Sequence, residues 1–170
     1  MKYFGPHAEV TLDNISKCYN NKLTCIQFMP GGEYGYNCGG NILKDLIYIN
    51  PYKIQPVIHA TLTCMVCSDK PQVVGATLSY LSQVESELEK YLDYCAKNDC
   101  VNFIKFPVPV VVHAGSLKAG ASGLEEAVGK FMYHFTKNCK LMTLCIENDV
   151  GSKGGTRVGF VSSLVNVIVS

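Results

Sequence analysis

The chain has 170 residues, 48% of them hydrophobic and 17% charged, enough for one domain with a substantial core. Its formal net charge of +1 gives no general electrostatic drive toward nucleic acid, membrane or acidic partners, although a local basic patch is compatible with it. No apolar run reaches the roughly 18 residues of a membrane span, and MKYFGPHAEV lacks the basic start and long apolar stretch of a secretory signal; the expected setting is intracellular, cytoplasmic or nuclear.

In chain order, residues 2–4 form a brief strand candidate. A helix is predicted over 11–21, with Leu12, Ile15 and Tyr19 at helical spacing. The strand predicted over 23–29 is stopped by Pro30, Gly31 and Gly32. A helix over 41–48 and a strand over 54–59 follow. The longest helical region spans 68–97, with Leu81, Val84, Leu88, Leu92 and Cys95 on one stripe. A strand over 108–113 contains the unbroken VPVVV, which suits a sheet buried on both faces. Next come a helix over 123–138, with Glu125 and Glu126 where the helix dipole favours them, a strand over 141–147 and a helix over 158–169.

This alternation predicts a parallel α/β fold. A complete (β/α)₈ barrel takes about 250 residues, so the expectation is a single incomplete TIM-barrel-type domain over 1–170, with about five of the eight units. Five units cannot close a barrel, and open strand edges favour self-association or a partner chain.

Nine cysteines are scattered through the apolar runs, the placement of reduced core thiols. Cys64 and Cys67 form a lone C-x-x-C. Redox or zinc chemistry there would need a thioredoxin-like context or a second matching pair, and neither is present.

Three predicted strands end in a metal-capable side chain: His59 in PVIHATL, His113 in VVVHAGS and Glu147 in LCIENDVG. His7 ends the first strand. In a parallel barrel the C-terminal strand ends form the functional face, where residues distant in sequence converge. Two imidazoles and a carboxylate match a catalytic His₂Glu zinc set, while an isolated strand-end histidine is more often structural. The glycine-rich loops with Ser116, Lys118, Lys153 and Arg157 are candidates for phosphate contacts. Tyr34 and Tyr36 are candidates for stacking on a base or sugar.

MKYFGPH, VIH at 57–59, VVHAGS at 111–116 and CIENDVGSKGGTRVGF at 145–160 resemble, in order and wording, motifs of the endonuclease IV family of apurinic/apyrimidinic endonucleases. The resemblance implies a TIM barrel that uses up to three zinc ions to hydrolyse the phosphodiester 5′ to an abasic nucleotide in duplex DNA. Carried over, His59 and His113 would ligate one zinc. Glu147 would bridge it to a second, which gives it the catalytic assignment, and His7 would lie nearby. The motifs that supply the family's later ligands do not occur in this chain, which suggests a truncated member. A non-catalytic homologue that binds DNA, metal or a partner chain is therefore one alternative. A sugar isomerase or epimerase of the same barrel group is another.

Overall fold

The computed structural model describes residues 10–30, 42–116 and 124–147. The strand predicted over 2–4, the helix over 158–169, and His7, Tyr34, Tyr36, Lys118, Lys153 and Arg157 lie outside these residues.

Helix α1, Leu12–Asn20, starts where Thr11 caps it, its hydroxyl accepting from the Asn14 N–H at 3.2 Å. The face it buries is Ile15 and Cys18. Leu12 and Tyr19 are exposed instead, Tyr19 meeting Tyr52 edge-on. Strand β1, Cys25–Phe28, is followed by α2, Ile42–Ile49, a 3₁₀ turn, Asn50–Tyr52, and β2, Gln55–His59.

The helix predicted over 68–97 starts three residues later, as α3, Pro71–Lys97, with Pro71 in the first turn, and an unpredicted strand, β3, Met65–Ser68, precedes it. The missing N–H of proline costs nothing there, and the residues before it pair with a neighbouring strand. The apolar stripe is as expected, with Leu81, Val84, Leu88 and Cys95 buried. Strand β4 extends over Val108–Ser116, α4 over Leu124–Asn138 and β5 over Met142–Glu147. No helix of the described residues is long and apolar enough to cross a membrane.

These strands form one parallel sheet. β1 pairs with β2, and β2 pairs with the first half of β4 through Ile58↔Val110 and His59↔Val111. β3 takes up β4 where β2 leaves it, through Met65↔His113 and Ser68↔Ser116. His113 pairs with Met65 on one edge and Glu147 of β5 on the other, so β2 and β3 share one edge of β4 as an interrupted strand. The resulting succession β1, β2 with β3, β4, β5 follows chain order, without the reversal that marks a doubly wound sheet.

Alternation along the strands separates two faces. Ile26, Phe28, Ile58, Val108, Val110, Val112 and Met142 are buried in one core with residues of all four helices, among them Leu46, Tyr80, Leu88 and Phe131. The opposite face bears Gln27, Gln55, Val57, Pro109, Val111 and Cys145, each only half-buried. The reading of VPVVV as buried on both faces is corrected accordingly: Val108, Val110 and Val112 are fully covered, while Pro109 and Val111 are not.

Candidate metal centre

Parallel pairing puts partnered residues on the same side of a sheet. His59 is partnered with Val111, His113 follows Val111 by two residues, and Glu147 is partnered with His113. The three side chains therefore rise from the half-open face, His59 and Glu147 as the last residues of β2 and β5 and His113 inside β4, which runs on to Ser116 past the end predicted at His113 because β3 pairs with it there. Their ligating atoms lie within 4.8 Å of one another, the one group of its kind among the described residues.

The geometry assigns the protons. His59 Nδ1 is 2.6 Å from the Ala60 carbonyl oxygen, which can only accept, so Nδ1 donates. His59 Nε2 then faces Glu147 Oε2 at 3.0 Å. An uncharged His59 presents a lone pair to a carboxylate there, an arrangement that needs a cation between them or a proton on Nε2. A backbone carbonyl that orients the remote ring nitrogen is the usual outer partner of a metal-ligating histidine.

His113 makes the stronger statement. It is 8% exposed, and neither ring nitrogen has a hydrogen-bond partner among the described residues. Leaving a buried polar atom unmet costs about 1–3 kcal/mol, so a purely structural histidine at this position makes little sense. An ion would satisfy one of the two nitrogens, the one that carries the lone pair. The His113 ring lies 5.3 Å, centroid to centroid, from that of His59 in an edge-on arrangement.

Two imidazoles and a carboxylate fit a zinc-type ion by donor chemistry. A tetrahedral zinc with bonds near 2.1 Å would space its ligands by about 3.4 Å, so atoms that lie within 4.8 Å of one another would close by about 1.4 Å at most. The Glu147 side chain is half exposed, whereas both histidines are buried.

Gly115 fixes β3 beside this site. Its φ is +80°, and a Cβ there would fall 2.0 Å from the Cys67 carbonyl oxygen, so only glycine allows the two strands to meet. Gly115, the first residue of the GSLKAG stretch, serves close strand approach, and Ser116 is the last residue of β4. The sequence reading missed β3. Its four residues, MVCS, lie almost wholly ahead of the helix predicted over 68–97 and are too short a run for periodicity to mark.

The C-x-x-C cysteines take no part. Both are fully buried, with the Cys64 thiol against the Thr61 hydroxyl and the Cys67 thiol donating to the Ala114 carbonyl oxygen at 3.2 Å. Burial, with a small addition from Asp69, pushes the Cys67 thiol up to about 11, the condition of an inert thiol. A groove of about 430 Å³ between α3 and α4, lined by Val74, Leu78, Phe131 and His134 among others, contains none of the three candidate ligands.

Compared with the known protein families the chain has no match, and compared with curated proteins it has none.

Proposed function

We propose that this chain is a zinc-dependent phosphodiester hydrolase of the endonuclease IV type, acting on duplex DNA at abasic sites and built on a TIM-barrel-type sheet. The observation that carries the reading is His113, buried with both ring nitrogens unmet among the described residues within reach of His59 and Glu147. The chain-order succession of parallel strands supports the barrel, because a barrel is wound by adding each strand beside the last.

His59, His113 and Glu147 would hold the ion. When bound, it supplies Lewis acidity toward a phosphoryl oxygen. The residues themselves do the positioning. Ala60 holds the His59 ring in one orientation through Nδ1, and burial of both histidines keeps water from competing for their lone pairs. Glu147 is the exposed member and faces any approaching substrate. Its single negative charge leaves a dicationic site net positive, which favours a phosphodiester anion.

The test is incision of duplex DNA bearing one abasic site by the purified, zinc-loaded chain, with His113→Ala protein run in parallel. The expected result is a nick on the 5′ side of the lesion that falls about a hundredfold or more in the variant. No incision from protein that holds zinc would overturn the nuclease reading and leave a metal-binding homologue.

A further inference from the structure

At the far end of the sheet from the metal centre, α3 stops in a six-residue motif that brings two cysteines together. Asp99 adopts the left-handed conformation, φ +48°, and the Cys100 N–H donates to the Cys95 carbonyl oxygen at 3.0 Å. This is the Schellman arrangement, in which the side chains at these two positions normally meet in apolar contact. Here both are thiols.

Their surroundings are asymmetric. Cys95 is 6% exposed, whereas Cys100 is only half-buried. The Cys95 thiol is near enough to the Cys100 thiol and the Tyr91 hydroxyl to push both groups up. Tyr91 is itself fully buried, and its hydroxyl donates to Asn102 Oδ1 at 3.0 Å. The inner thiol is thus enclosed, while the outer one is open to a small reagent. Cys64 and Cys67 show the contrast. They are closer in sequence, but both are fully buried and each thiol has a partner on a different residue.

We propose that Cys95 and Cys100 are a redox-responsive dithiol that closes to an intramolecular disulfide by exchange with a low-molecular-weight disulfide such as glutathione disulfide. The Cys100 thiolate attacks one sulfur of the reagent, forms a mixed disulfide and releases one glutathione thiolate. The Cys95 thiolate then attacks Cys100 Sγ, and the Cys95–Cys100 bond forms as the second glutathione leaves. Two protein thiols lose two protons and two electrons, and one glutathione disulfide is reduced to two thiols. The contact with Cys95, then burial, holds the Cys100 thiol above the ordinary range, so the pair responds slowly at neutral pH and faster in mild alkali. The backbone bond between the two residues is already made, so closure is a staple across the end of α3 rather than a refolding of it.

The experiment treats the native chain with glutathione disulfide at mildly alkaline pH, quenches with acid, alkylates the remaining thiols and maps the peptides by mass. Trypsin cuts after Lys97, so closure leaves two peptides joined through Cys95 and Cys100. The expected result is that joined pair in the wild type, and a glutathione adduct trapped on Cys100 in Cys95→Ser. Dithiothreitol should then restore two alkylatable thiols. A wild-type chain that keeps the glutathione adduct on Cys100, or leaves both thiols alkylatable while Cys145 is oxidised, would overturn the proposal.

Discussion

Asp45, in the first turn of α2, has a carboxyl that burial lifts from 3.8 to about 6, with Lys44 opposing the shift. A folded-state value above the unfolded one means that the ionised carboxylate costs the fold. The cost is absent below pH 3.8 and grows to its full size as pH rises through about 6. Asp45→Asn removes it. The expected outcome is a higher urea midpoint at neutral pH, by about 1 kcal/mol once solvent screening of this partly exposed site is counted, with no gain in acid below both values. His113 is a further described residue that the fold holds at a cost, with both ring nitrogens unmet. Under the proposed function its penalty would be repaid by metal binding, and functional sites are where such penalties collect.

At the scale of elements, the connection from α3 to β4 shows how side chains substitute for a strand partner. Residues 101–105 belong to no helix or strand, yet several of their backbone groups are bonded to side chains. Asn50 donates to the Val101 carbonyl oxygen at 2.9 Å and accepts from the Phe103 N–H at 2.7 Å. Gln55 accepts from the Lys105 N–H at 2.9 Å and donates to its carbonyl oxygen at 3.0 Å. Glu85 does the same at the entrance to β5, one of its oxygens accepting from the Lys140 and Leu141 N–H groups at 2.5 and 2.8 Å. Asn50 is 8% exposed, and Asn50→Ala leaves the Val101 carbonyl oxygen and the Phe103 N–H without their partner at a part-buried site. The expected loss is about 2–3 kcal/mol in urea denaturation, and Gln55→Ala, at a wetter site, should cost about 1 kcal/mol. Neither clamp was legible in the sequence. Asn50 and Phe103 are 53 positions apart, and periodicity reports only neighbours along one element.

For the molecule as a whole, the candidate metal ligands come from three strands, so an ion bound there ties β2, β4 and β5 at one end of the sheet. An ion that binds only the folded chain stabilises it by about 2.7 kcal/mol at a concentration one hundred times its dissociation constant. Zinc is accordingly expected to raise the melting temperature, and a chelator to reverse the rise. His113→Leu should abolish the response and, in chelated protein, melt above the wild type because the two unmet nitrogens are gone. A wild-type chain whose melting temperature is unmoved by zinc would remove the metal centre from the account.

Most of the described helices and strands, and the three residues of the candidate metal cluster, were readable from the chain itself, because an apolar run with His or Glu toward its polar end needs no distant information. The β3 strand was not readable. MVCS becomes a strand because β4 offers it an edge, and because Gly115 lacks the side chain that would block the approach. Nor could spacing choose among the cysteines. It pointed to Cys64 and Cys67, which packing buries against different partners, whereas the helix stop at Asp99 sets Cys95 against Cys100. Local pattern determined which residues end the strands. Tertiary pairing decided which of them meet, since register and burial depend on segments that the chain brings together only on folding.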